Sequence, residues 1–541
     1  MLEEYVSRHE DRVVENQNRL AADTRATYDF IVCGSGTSGS VVARRLAEQS
    51  DATVLVLEAG EMDNVPEIEV AEAWIKNLGT SRDWAFTARS NAQMNHRPIA
   101  LHMGRVLGGG SSINAMHWSR GHRADWDTLA AETGDPDWSY ASVLEIYKQI
   151  EDWHGVPDRQ YRGTGGLVHV SHAPALSPLP YAWLTAAKTC GIPEFVSQNG
   201  TLMEAPTGAS MADVCIREQR RVSIFRSYLY PMMDRPNVTV LTRALVTRVL
   251  FSGNQASGVE CIVDGKLRRF NASLEVVLSL GAIHTPKVLM QSGIGGASQL
   301  HEFNIPVIEE LKGVGRNFQD HWMVAGCICE APESVEAEDL PHGAIVQANA
   351  FVHSSVAEGP PDIQLMQLGF PFASENIAGQ YAIPPKSWTI LPVLTRPRST
   401  GRISLTGAGP QHPVIIEANP VAEPEELAAL TRAVELANEI SQSPTLKRFV
   451  KRQVTPGNLE GSSLQAFVRD SIASVSHQTC TAMMGNDPDS VVNSKLQVHG
   501  ISRLTIADGS VLRNITTGNT MAPCVVIGER AAMSIRLRHQ L

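Results

Sequence analysis

The 541-residue chain contains no apolar run approaching the ~18 residues that a membrane span requires. Its opening stretch, MLEEYVSRHEDRVVENQNRLAADTRATYD, lacks the basic start and apolar centre of a secretion signal and has no Arg-Arg pair. A soluble, cytoplasmic protein with no membrane partner is expected. Positive charge is in deficit: 46 Lys and Arg stand against 57 Asp and Glu, giving a formal net charge of −11. That balance excludes a nucleic-acid or anionic-membrane surface and favours neutral or cationic small molecules. Cysteine is sparse. Eight residues are scattered over the length, with only Cys327 and Cys329 close together, so buried reduced thiols are expected rather than a disulfide framework or a metal site. Internal repeats and low-complexity linkers are absent as well.

What remains is a chain with 43% hydrophobic and 19% charged residues, enough to bury two large, interleaved lobes. Residues 1–27 read as a helical extension whose stripe Leu2, Val6, Val13 and Leu20 packs on its own body, with contact to a second subunit as the alternative. Strand-like and helix-like segments then alternate as in a doubly wound sheet: a strand over Tyr28 to Cys33, a helix over Ser38 to Gln49, a strand over Thr53 to Leu57. The stretch NVTVLTRALVTRVLFSGNQASGVECIV reads as a β-meander, and the strand–turn–helix pattern returns from Leu274. Beyond Glu330, AIVQANAFVHS, DIQLMQL and RISLTGAG read as strands of an antiparallel sheet in a second lobe. The chain ends on a strand, a polar loop and a long helix.

The stretch IVCGSGTSGSVVARRLAEQSDATVLVLEAGE, from Ile31, places Gly34, Gly36 and Gly39 between a strand and a helix. Gly34 permits a tight turn, Gly36 leaves backbone N–H groups bare toward a pyrophosphate, and Gly39 lets the helix pack against the strand. The helix N-terminus adds unpaired N–H groups and a partial positive charge. Glu58, ending the second strand, is placed to bind ribose hydroxyls, which disfavours a 2′-phosphate and hence NADP. The cradle alone does not distinguish a nicotinamide from a flavin dinucleotide. A second cluster, GRVLGGGSSINAMHWSRGHRADWD from Gly104, offers a flexible, donor-rich arch able to lie against a planar ligand and a phosphate.

Together, GRVLGGGSSIN, GAIHTPKVLMQSGIG from Gly281, GVGRNFQDH from Gly313 and SHQTCTAMMG from Ser476 resemble the glucose–methanol–choline oxidoreductase family, in the family's order and across the chain from Tyr28 onward. The resemblance implies FAD as cofactor and oxidation of an alcohol, with hydride passing to flavin N5. It implies an α/β fold: a Rossmann-like FAD domain with a parallel sheet and meander (28–170, 205–325 and 478–541), interleaved with an α+β substrate domain on an antiparallel sheet (171–204 and 326–477). By the same resemblance Gly34, Gly36, Thr37, Ser38 and Gly39, with Glu58 and Ala59, hold the ADP half, and Val246 meets the adenine through its backbone. Arg105, Gly108, Gly109, Ser111, Asn114, Ala115 and Met116 line the pyrophosphate and ring system. Gly281, Asp508, Gly509, Asn519, Thr520 and Met521 complete the site, although Asp508 reads equally as a turn residue. Some members carry the flavin covalently on a histidine just before the asparagine of the second cluster. Here that position is Ile113, so the expected FAD is non-covalent.

Alcohol oxidation by hydride transfer needs a proton acceptor and a donor for the alcohol oxygen. Histidine, with an unperturbed pKa near 6.5, suits the first role. The resemblance places it at His477, in a segment where Cys480 stands at a usual glycine. It places the second role at Asn519, which precedes the terminal helix and also reads as a helix cap or its neighbour. The resulting expectation is an alcohol oxidase or dehydrogenase acting on a small-molecule alcohol, primary or possibly a sugar or other polyol, with O2 or another electron acceptor, and possibly a homo-oligomer. The alternatives are a hydroxynitrile lyase of the same fold with an idle flavin, an NAD-dependent enzyme or nucleotide-binding module, and, more remotely, a light-driven decarboxylase.

Overall fold

Val54–Leu57 is buried at every position, which a strand can achieve only inside a sheet covered on both faces. The computed structural model describes residues 2–49, 51–174, 177–336, 340, 345–355 and 359–541, with side chains from residue 9 onward. Val54–Leu57 lies between two parallel neighbours, Val238–Leu241 and Thr27–Cys33, in a seven-stranded sheet. Lys266–Leu278 organises the rest of that sheet. Its first half closes an antiparallel meander with Ala244–Ser252 and Gln255–Val263. Its second half runs parallel to both Thr27–Cys33 and Leu504–Ile506.

A second, eight-stranded sheet is antiparallel and contains Cys327–Glu330, Val346–Val352, Ile363–Leu368, Ser387–Leu394 and Arg452–Thr455. It also takes in Gly208–Met211 and Trp322–Val324, which lie inside the segment 205–325 expected for the cofactor domain. One expected strand is placed elsewhere. Arg402–Leu405, in RISLTGAG, pairs with Val414–Glu417 in a separate two-stranded ribbon. The reason is its alternation: Arg402 is exposed and Ile403 buried, whereas Val346–Val352 and Ser387–Leu394 are buried at every position.

The N-terminal helix Leu2–Ala22 packs on the same body. Val13 and Leu20 are buried, while the side chains of Leu2 and Val6 lie outside the described residues. Asn16 and Gln17 donate to the carbonyls of Met233, Arg235 and Val238, so the helix satisfies backbone groups at one end of the parallel sheet. All eight cysteines are unpaired. No helix among the described residues is long and apolar enough to cross a membrane.

The terminal helix Met521–His539 lies against the helix Thr37–Ala47. Arg45 pairs with the buried Glu529 at 2.9 Å, and Ser38 Oγ donates to the Cys524 carbonyl at 2.6 Å. The ends of the chain's two most important helices are thereby brought to one place. On the other side Thr37–Ala47 meets the first strand at Gly39, where a Cβ would sit 2.0 Å from the Gly34 carbonyl oxygen. Gly39→Ala must therefore push the helix off its strand. Overpacking of this kind costs ~1–3 kcal/mol or more, and we expect a lower unfolding midpoint together with loss of bound cofactor from purified protein. Retention of both, by thermal melting and absorbance, would contradict the packing described here.

Candidate active site

A cavity of about 770 Å3 runs between the two sheets, walled by residues of both. At one end stands the helix Thr37–Ala47. Its cap position is Gly36, which brings no side-chain acceptor, so its first-turn N–H groups are left open. A Cβ on Gly36 would meet no protein atom within 4 Å, so the backbone there is bare toward the cavity. The second glycine cluster comes up against it, since a Cβ on Gly109 would lie 2.9 Å from Gly36 Cα. Glu58 is buried in the wall beside them. Ser35 donates to its Oε2 from both backbone N (3.0 Å) and Oγ (2.8 Å), and the Gly60 N–H donates to its Oε1 at 2.9 Å. Burial raises its carboxyl above the ordinary value, against the pull of those donors.

At the other end are His477 and Asn519. Asn519 lies one residue outside the cap position, Thr520, so its amide is not consumed in capping the helix Met521–His539. Its Nδ2 is 3.3 Å from His477 Nε2. His477 is held from behind: its Nδ1 is 2.9 Å from Nδ1 of His321, and His321 Nε2 is 3.1 Å from the Thr395 carbonyl oxygen. A carbonyl only accepts, so His321 carries its proton on Nε2. Burial lowers the His321 pKa to about 3, leaving its Nδ1 as a lone pair. His477 must then donate from Nδ1, and its Nε2 is an unprotonated acceptor facing Asn519. Burial, then the neighbouring His321 and His117, hold His477 well below its ordinary pKa, so this acceptor stays neutral. Beneath it, Asp320 accepts from the His477 backbone N–H at 2.8 Å and fixes the loop.

Most of the residues expected from sequence stand in the cavity wall. Gly34, Gly36, Thr37, Ser38, Glu58 and Ala59 form the first end. Gly109, Ser111, Asn114 and Ala115 form the arch, with Val246 beside them, and Gly281, Gly509, Thr520 and Met521 form the far side. Asp508 does both things that its position allows. It is in the wall, and it ties two helix starts together by accepting from Gly281 N, Thr285 Oγ1 and Ser510 N. Four residues stand outside the wall, Arg105 exposed to solvent and the others buried. Gly39 is buried in the helix–strand contact, Gly108 turns against Ser112 and Phe225, Arg105 lies over Trp84 at 5.0 Å, and Met116 packs into an apolar cluster with Ala212 and Val214. Cys480 likewise stands behind it, with a φ of 74°, the left-handed region in which glycine is at home.

The sequence reading gave no role to His321, although it lies in the quoted block GVGRNFQDH, nor to two further histidines. His117 is buried in the wall, its Nε2 2.9 Å from Gln198 Oε1 and its Nδ1 without a protein partner. His102, three residues before Arg105, is held by Asp83 at 2.6 Å. The one grouping of three metal-ligand side chains among the described residues, Asp152, His154 and His169, lies outside the cavity wall.

Family models described as GMC oxidoreductase match residues 28–323 and 397–528. The chain belongs to the GMC oxidoreductase family. Relatives of this GMC oxidoreductase align over nearly its whole length. It is 32% identical to the mitochondrial choline dehydrogenase of Mus musculus, over 96% of this chain and 91% of that protein. It is also 32% identical to an alcohol dehydrogenase [acceptor] of Pseudomonas putida, over 93% of this chain and 95% of that one. Among solved structures it is similar to pyridoxine 4-oxidase from Mesorbium loti, with a TM-score of 0.88 at 28% identity, covering 95% of this chain and 99% of that one.

GMC oxidoreductases are FAD-dependent enzymes acting on CH–OH donors, and the wall described above fits that cofactor. An uncapped helix start and bare glycine backbone suit its diphosphate, and a buried carboxylate with a lone pair left on Oε1 suits its ribose. Glu58→Ala should therefore loosen FAD rather than slow enzyme that retains it. A hydrogen-bond acceptor of this kind contributes ~1.5–3 kcal/mol, or roughly ten- to a hundredfold in affinity. Titrating FAD into the apoprotein measures this directly, and unchanged affinity would place the ribose elsewhere.

Proposed function

We propose that this GMC oxidoreductase oxidises a primary alcohol to an aldehyde, with His477 as the proton acceptor and Asn519 as the donor to the alcohol oxygen. The observation that carries the reading is the hydrogen-bond chain from Thr395 O through His321 to His477 Nδ1, which is satisfied when the His477 Nε2 lone pair faces the Asn519 amide. Bound FAD supplies the acceptor for the hydride. The alcohol oxygen would lie to the cavity side of Asn519 Nδ2 and His477 Nε2, within reach of both and in place of their mutual 3.3 Å contact, giving its proton to the imidazole and receiving the amide's hydrogen bond. Oxygen or another acceptor then removes the electrons, and O2 against a dye acceptor is the comparison that separates oxidase from dehydrogenase.

His477→Ala should cut the rate of anaerobic flavin reduction by alcohol ~10²–10⁴-fold with FAD still bound. Asn519→Ala should cost ~10²–10³-fold. Because His477 is held below its ordinary value, the lone pair is present at neutral pH and is lost only as pH falls through that lowered value. Stopped-flow reduction in the wild type should stay on its plateau through pH 6.5 and decline only at more acid pH, as the lowered value is passed, a limb that Asn519→Ala keeps. A wild-type rate in His477→Ala would remove the assignment and turn attention to His117 and His102 of the same wall, whereas a wild-type flavin that no alcohol reduces would bring the lyase reading forward.

The flavin should be non-covalent. Ile113 lies in the wall and has no nucleophilic atom. Acid precipitation should leave a colourless pellet and a yellow supernatant. Colour remaining with the protein would refute the expectation and direct attention to His102, a nucleophile in the same wall.

A further inference from the structure

We infer that the alcohol this site accepts is uncharged and carries an apolar tail, so that a cationic alcohol such as choline and a polyol such as a sugar are both poor substrates. The inference rests on the proposed reaction and concerns the half of the cavity beyond His477. Its floor is one face of the antiparallel sheet. Met323 stands opposite Ala473 and Val393, Met366 opposite Leu391, and Leu368 opposite Val346. Six of the seven belong to one apolar cluster, against which Ala473, Trp74, Phe370, Phe372 and Val475 pack. Six of the seven, Val393 excepted, reach the cavity wall. Adjacent strands thus contribute a continuous apolar row, and its two thioethers are weak acceptors at best.

The charge distribution points the same way. Glu58 and Asp508 are in the cofactor half and are held by backbone N–H groups. Asp320 is behind His477 and outside the wall. Arg97, a cation, is in the wall and donates to the Ile472 carbonyl at 2.7 Å. The remaining acid in the wall, Glu375, is exposed at the first turn of the helix Glu375–Gln380. A trimethylammonium group over this floor would lose its hydration with no carboxylate beside it. Phe370 and Phe372 meet edge to face at 6.3 Å, so one ring face is covered by its neighbour's edge, and the comparison with a neutral isostere reads whether the faces left open hold a cation. Over the floor itself a polyol's hydroxyls would lose water with no partner there, since the wall's polar side chains Ser374, Asn376, Ser476 and Gln478 lie outside that apolar row. An alkyl or arylalkyl tail gains from the same burial, and the unbranched methionines adapt to its length.

The test compares two alcohols of the same shape, choline and its neutral carbon isostere 3,3-dimethylbutan-1-ol, with ethanol, 1-butanol, 1-hexanol, benzyl alcohol and glucose alongside. Holoenzyme is mixed anaerobically with each, and the rate of flavin bleaching is read. The neutral isostere should exceed choline at least ~100-fold in kcat/KM, and the linear alcohols should gain roughly three- to fourfold per methylene. Benzyl alcohol against 1-hexanol tells an aryl from an alkyl preference. Glu375→Gln should leave the choline-to-isostere ratio unchanged. Choline or glucose matching the neutral alcohols, or a choline rate that collapses selectively in Glu375→Gln, overturns the inference. Binding to oxidised holoenzyme, read from the perturbed flavin absorbance, is measured for the same pair. If no alcohol bleaches the flavin, the catalytic reading fails, and the binding preference still decides the substrate class.

Discussion

A backbone carbonyl can accept a hydrogen bond and never donate one, and at Thr395 this fact fixes the chemistry of a side chain two residues removed in space. The proton of His321 must point at Thr395, its other nitrogen must accept, and His477 must present a lone pair to the cavity. No ionised partner is needed. Burial keeps both imidazoles neutral, and the carboxyl of Asp320, pushed up to about 7 by the same burial, is matched by Ser474, Gln478 and backbone donors instead of by a cation. The site is thus electrically quiet before it acts, and its preorganisation lies in hydrogen-bond direction.

The fold exists, in effect, to hold that chain of bonds opposite a dinucleotide. His477 follows the strand Ile472–Ser474 of the antiparallel sheet, and its partner His321 immediately precedes Trp322–Val324 of the same sheet. Asn519 arrives from the other direction, at the start of a helix anchored on Thr37–Ala47 by Arg45 and Glu529. Asp508 joins that region to the start of the helix Gly281–Gln291. Residues far apart in the chain therefore share one cavity because two sheets interleave. The strands Gly208–Met211 and Trp322–Val324 enter the second sheet from within segments that read as part of the first unit.

Local chemistry was legible in the sequence wherever it is written in residue type. The turn glycines and the carboxylate at Glu58 announce themselves by residue type and spacing, whereas His477, one of 17 histidines, and Asn519 are picked out by the family resemblance alone. Relational facts were not legible. Nothing in GVGRNFQDH says that its histidine will meet another histidine, because that depends on a long-range pairing. The apolar floor was equally hidden. Val346–Val352 and Ser387–Leu394 are buried on both faces, so no alternation reveals which face lines a cavity. Arg402–Leu405 shows the converse, a strand whose visible alternation placed it outside the sheet. Cys480 shows a third limit, since its left-handed backbone explains a glycine preference at that position but leaves no trace in the residue present.

If His477 takes the alcohol's proton as proposed, the hydrogen bonds that hold it also determine how it would lose that proton. Once Nε2 is protonated, the imidazolium sits in a site whose nearest imidazoles are neutral and whose floor is apolar, and charge there is costly unless an oxygen anion lies beside it. While the alcohol oxygen bears charge, that condition is met. When the carbon is oxidised the oxygen becomes a carbonyl, the compensation ends, and the proton is driven to leave. It has no exit through His321, whose outer nitrogen already carries a proton directed at a carbonyl that cannot take it. The chain behind His477 is therefore an anchor and a dead end for protons. The proton must leave from Nε2, through the cavity by which the alcohol came in, so that regeneration of the base is tied to departure of the product and entry of water.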